Sequence, residues 1–113
     1  MKVIVAGTRT YRDIPMLYTI LSTIVQHSDV VLQGGANGVD RLAAQWCRTH
    51  AVACQEFPAE WERWGKSAGA RRNGQMARQA DALIAIWDGR SRGTAHMIQS
   101  MRALGKPVHV FIV

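Results

Sequence analysis

Five short apolar runs, separated by stretches of helical periodicity, constrain this chain more than any other feature. Lys2–Ala6, Val30–Gln33, Ala51–Phe57, Ala82–Ile86 and Pro107–Val113 read as strands. Between the first two, Ile14, Leu17, Leu21 and Ile24 recur at three and four, which predicts a helix over 14–27 with Asp13 as its N-cap and Pro15 in its first turn. Val39, Leu42, Ala43, Trp46 and Cys47 give a second helical stripe, and Ala68–Gln79 a third, less amphipathic one. Thr94, Met97, Ile98, Met101 and Leu104 give the last, with Gly105 suited to its C-terminal cap. Residues 58–67, PAEWERWGKS, read as an irregular linker. Strands alternating with helices imply parallel pairing and right-handed crossovers. The expected fold is therefore α/β: one Rossmann-like, doubly wound domain over residues 1–113, with a five-stranded parallel sheet covered by helices on both faces. Strands apolar on both faces agree with such a sheet.

In a sheet of this kind, ligands bind beyond the carboxyl ends of the strands. Gly7, Gly34-Gly35 and Gly89 each stand immediately after a strand and mark that edge. Glycine turns that open helices present backbone N–H groups to an anion and let it approach closely. The chain has two, GGANGVD at Gly34–Asp40 and DGRSRGT at Asp88–Thr94, which together suggest a phosphate-bearing ligand, most simply a nucleotide. Gly34, Gly35 and Gly38 can form a phosphate nest, although a tight strand-to-helix turn also needs glycine. Asp40 can accept a ribose hydroxyl or a base N–H, or simply favour the helix dipole. Arg9, in the loop after the first strand, can reach a phosphate. Arg71 and Arg72 stand near a helix start, where cations oppose the dipole, so an anion there would account for them. Asn73 can bond a base, a sugar or a neighbouring loop. Ser91 and Thr94 can be plain N-caps, or can serve a phosphate together with Gly93. Trp87, at the end of a strand, is the favoured base-stacking platform ahead of Trp61 and Trp64, whereas Trp46, Met97 and Met101 read as core.

At 113 residues the chain suits one domain. No apolar run approaches the roughly 20 residues of a membrane span, and MKVIVAGTRTYRD is unlike a secretory signal, so a cytoplasmic protein is expected. Cys47 and Cys54 lack metal-like spacing and read as buried free thiols; His27, His50, His96 and His109 are scattered. No metal site and no cofactor are expected. The net charge is +6, carried by 11 arginines and 3 lysines, and seven of these cations fall between Arg63 and Arg92. Such a basic half can serve a nucleotide, a nucleic-acid backbone or solvent alone.

The blocks AGTRTYRD at 6–13, GGANGVDRLA at 34–43, GKSAGARRNGQMA at 65–77 and ADALIAIWDGRSRGTAHMI at 80–98 resemble, in order, the SLOG superfamily of Rossmann-like proteins, specifically its YspA/YpsA-related branch. The resemblance implies binding, as a sensor, of a nucleotide or an NAD- or ADP-ribose-like molecule, and a homodimer. Two relatives sharpen it. The LOG phosphoribohydrolases carry R-K-x-x-M and then P-G-G-x-G-T-x-x-E; Arg72-Asn73-Gly74-Gln75-Met76 is similar with asparagine for lysine, and Gly93-Thr94 matches the G-T. Met97 stands where that family has its catalytic glutamate, so its hydrolysis by the same residues is not expected. The S-G-x-A-x-G-I-D motif of the DNA-processing protein A family, which binds single-stranded DNA, resembles Gly34–Asp40. A nucleotide-processing hydrolase and a single-stranded nucleic acid binder therefore stand as the alternatives.

Overall fold

The computed structural model describes residues 1–113. Its core is a parallel sheet of β1 (Lys2–Gly7), β2 (Val30–Gln33), β3 (Ala53–Glu56), β4 (Ala82–Trp87) and β5 (Val108–Ile112), in the order β3-β2-β1-β4-β5. In register, Ile4 lies opposite Leu32 on one side and Leu83 on the other. Side chains alternate across the sheet, so the two faces carry separate cores. Val3, Val5, Val31, Ile84 and Ile86 face α1 (Ile14–Ile24) and α2 (Val39–His50), where Leu17, Leu21, Ala43 and Trp46 cover them. Ile4, Leu32, Leu83 and Ala85 face α4 (Ala68–Gln79) and α5 (Arg92–Ala103) through Met76, Ala77, Met97, Ile98 and Met101.

The expected doubly wound fold is present, with local differences that have identifiable causes. The first helix stops at Ile24, three residues early: Asp29 takes the Gln26 N–H at 2.9 Å and the N-terminal ammonium at 3.0 Å, which bends the chain into β2. The third strand shortens to Ala53–Glu56, because Ala51 closes α2 in the left-handed region at φ +54°. At its other end, Phe57 donates to the Gln33 carbonyl at 2.8 Å and turns into the core. All four residues of β3 are exposed, as befits an edge strand. Cys54 is therefore exposed rather than buried; only Cys47, on the inner face of α2, is a core thiol. The 58–67 segment is also more regular than a linker. It contains a short helix, α3 (Trp61–Trp64), and a 3-10 turn at Gly65–Ser67 leading into α4. No helix is long and apolar enough to cross a membrane.

Because β2 lies on one side of β1 and β4 on the other, the loops after β1 and β4 depart to opposite faces. The crevice between them is the topological switch point, where open α/β sheets place their ligands.

Candidate functional site

A cleft of about 400 Å³ opens at that switch point. Its walls are the loop after β1, the turn after β2, the first turns of α4 and the start of α5. Gly7, Arg9, Gly34, Asp40, Arg72, Asn73, Ser91, Gly93 and Thr94 line it, nine of the residues singled out by sequence. Gly35, Gly38, Gly89 and Trp87 do not. Gly38, at φ +77°, lets α2 begin directly against the Thr8 and Arg9 carbonyls, and Gly89, at φ +79°, shapes the loop before α5. Trp87 is half-buried against the core, and its indole N–H donates to the Ser91 carbonyl at 3.1 Å, so it braces this loop instead of facing the cleft.

The two glycine turns differ in what they leave open. In the turn after β2, Asp40 Oδ2 accepts the N–H groups of Gly34 at 3.1 Å and Ala36 at 3.2 Å, while buried Gln33 takes that of Gly35 at 2.6 Å. The amides of Gly34, Gly35 and Ala36 are occupied; α2 also begins without a side-chain cap, but of its first three residues only Asp40 lines the cleft. Before α5, Asp88 Oδ1 accepts from Arg90 and Ser91, both at 2.8 Å, and these bonds hold its pKa below the ordinary value. The first helical residues, Arg92, Gly93 and Thr94, have N–H groups without intrahelical partners, and Ser91 supplies no side-chain cap. All three residues border the cleft. A Cβ added at Gly93 would meet nothing within 4 Å, so the fold itself does not demand glycine there.

One side-chain network joins the turns. Arg72 Nη1 donates to the Gly34 carbonyl at 2.8 Å and its Nε to Asn73 Oδ1 at 3.0 Å. Asn73, itself buried, donates through Nδ2 to the Gly93 carbonyl at 3.2 Å and lies 3.2 Å from His96 Nδ1. Arg72 thus spans the cleft with one terminal nitrogen free, while Arg71 points outward and stacks on Trp64 at 3.8 Å. The protein's ion pairs are Met1–Asp29 and Arg63–Glu60, so Arg9, Arg72 and Arg92 have no carboxylate within 4.0 Å. Burial pushes Asp40 up to about 6, against the opposing pull of its two backbone bonds and of Arg72 and Arg9. The same burial draws Arg72 below its ordinary value. Three arginines and an uncapped helix start face two carboxylates, one of them readily protonated. The cleft favours an anion.

Thr8, Asp88 and Arg92 also line this site; sequence marked Asp88 only as a carboxylate near it and Arg92 only as part of the basic half, and it missed Thr8. Thr8 is buried, and its hydroxyl accepts the Asp88 N–H at 3.1 Å, tying together the loops on either side of the switch point. Asp88 three residues before Ser91, at a strand end, was the available turn signal. Met97, at the position of the LOG glutamate, is buried and lies on the cleft wall. No group of three or more histidine, cysteine or acidic side chains is arranged to hold a metal.

Such a sheet and cleft define a Rossmann-like α/β domain. More narrowly, the chain belongs to the YspA, cpYpsA-related SLOG family, whose model matches residues 1–64. It is 34% identical over 116 aligned residues to the gene 61 protein of Mycobacterium phage D29, covering 95% of this chain and 93% of that protein. The fold is similar to DNA processing protein A of Streptococcus pneumoniae, with a TM-score of 0.82 at 16% identity over 96% of this chain. The chain spans about half of that protein, 49%. DNA processing protein A of Helicobacter pylori, described for its single-stranded DNA binding mode, superposes with a TM-score of 0.69 at 19% identity, over 97% of this chain and 64% of that one.

Proposed function

We propose that this protein binds a nucleotide or an NAD- or ADP-ribose-like molecule in the switch-point cleft. The phosphates lie over the free amides of Arg92, Gly93 and Thr94, between Arg9 and the free nitrogen of Arg72. The observation that carries the reading is the uncapped start of α5, with its sterically unneeded glycine, opening onto arginines that have no carboxylate partner. Two charged side chains and a helix N-terminus suit a pyrophosphate better than an uncharged ligand. Family membership supports the same reading, and a sensing role and pairing of two copies go with it. Titration with ADP-ribose tests the reading: at a hundredfold excess over Kd the fold should gain about 2.7 kcal/mol in thermal unfolding. Light scattering with and without ADP-ribose reads the oligomeric state. No shift with ADP-ribose, NAD or any mononucleotide would remove the proposal.

A hydrolytic reading draws on Asp40, a carboxylate poised near neutrality in the cleft. Its Oδ2 is committed to the turn, and no second acid–base group lies in hydrogen-bonding contact with it. Free base released from nucleoside monophosphates in an Asp40-dependent manner would favour turnover over binding. The fold shared with DNA processing protein A supports nucleic acid as the other alternative ligand, and steep loss of binding with salt would be its mark.

A further inference from the structure

Beside the main cleft, behind the wall made by Gly34 and Arg72, lies a second cavity of about 350 Å³. Arg9, Gly34, Ala36 and Arg72 border both cavities, so the two are neighbours around one arginine-bearing partition. The far side of the second cavity is formed by Trp61, Arg41 and Glu56. Trp61 is 53% exposed on the short helix α3, none of whose residues is buried. Its side chain makes no hydrogen bond and no aromatic or cation–π stack, whereas neighbouring Trp64 is stacked by Arg63 at 4.7 Å and Arg71 at 3.8 Å, and donates its indole N–H to Glu60. The Trp61 ring reaches Gly69 of α4 but stays half exposed beside a polar cavity, outside the core. Arg41 has no carboxylate within 4.0 Å. Glu56 uses Oε1 to accept from Gln33 at 3.3 Å, leaving Oε2 as an acceptor.

We propose that the second cavity is a base-binding subsite, and that the ligand is a dinucleotide: two nucleosides joined through phosphates. One nucleoside occupies the switch-point cleft, the phosphates pass the partition at Arg9 and Arg72, and the second base stacks on Trp61. Glu56 accepts the exocyclic amine of that base. This rests on the reading of the main cleft as a phosphate site. It adds that a ligand with one base leaves half of the site empty. Both volumes are near the lower end of the roughly 300–1,000 Å³ of small-molecule sites, as suits two compartments that each take one nucleoside.

The test compares two probes by calorimetry on the full chain. ADP-ribose carries both phosphates and both riboses but one base, and diadenosine diphosphate adds the second base. Diadenosine diphosphate should bind more tightly, and Trp61→Ala should weaken it by about 5- to 150-fold, the range for loss of one base–aromatic stack. The same change should leave ADP-ribose affinity unaltered, and Trp61→Phe should restore most of the difference. Equal affinities for the two probes, or a Trp61→Ala loss shared by both, would overturn the two-base reading of the site while leaving the phosphate cleft standing. Binding of neither probe would overturn both. A twelve-nucleotide single strand that binds more tightly than diadenosine diphosphate, again through Trp61, would overturn the dinucleotide as the ligand.

Discussion

Arg72 shows how a residue can be well placed by sequence and still have a second task. A cation near a helix start reads as unfavourable for folding, yet its guanidinium is drawn away from the dipole by the Gly34 carbonyl and Asn73. Removing it leaves those acceptors unsatisfied in a half-buried setting. Arg72→Ala should therefore cost about 1–3 kcal/mol of stability even without ligand, read from the urea midpoint. Arg78, exposed on the same helix, should be neutral within about 0.5 kcal/mol when changed to alanine. A stability loss in neither variant would show that the bridge between the turns is not made. The Arg72-Asn73 pair was legible as a motif. Its bonding was not, because Gly34 and Gly93, its partners, come from distant parts of the sequence.

At the scale of the elements, the glycines divide into those the chain needs to fold and others, Gly93 among them, that it does not. At Gly38, a Cβ would press on the Thr8 and Arg9 carbonyls, and the positive φ adds strain, so Gly38→Ala should destabilise the fold by several kcal/mol. Gly93 has open space and lies in the first turn of α5. Gly93→Ala should leave stability unchanged or raised by up to about 1 kcal/mol, since alanine is the better helix former. If Gly93 admits a phosphate, the same change should weaken ADP-ribose binding at least tenfold by calorimetry. Unchanged affinity would move the phosphate away from the start of α5. Sequence shows both as glycine after a strand. Only the neighbours of the missing Cβ tell them apart.

For the whole molecule, the buried carboxylate sets an unusual pH response. The folded pKa of Asp40, about 6, lies above its ordinary 3.8, so between these values the folded state keeps a proton that the unfolded chain has released. Its stabilising effect is fully present below the lower value and is lost as pH rises through about 6; two units amount to on the order of 3 kcal/mol. Asp29 and Asp88, with lowered pKa values, act oppositely and lose their contributions below about pH 4. Unfolding midpoints should therefore rise as pH falls from 7 towards 5 and drop in stronger acid, and Asp40→Asn should abolish the rise. A flat profile between pH 7 and 5 in the wild type would mean that water reaches Asp40. By itself, the sequence determined the alternation of elements, the parallel sheet and the edge on which its glycines fall, because strand and helix periods and turn chemistry are local properties. It did not determine that β3 would be an exposed edge, that the amides of one glycine turn would be taken by Asp40 and Gln33, or that Trp87 would brace a loop while Trp61 stayed free. Those outcomes depend on which distant groups satisfy each buried polar atom, and that is decided only when the sheet order brings Thr8 beside Asp88 and Gly34 beside Arg72.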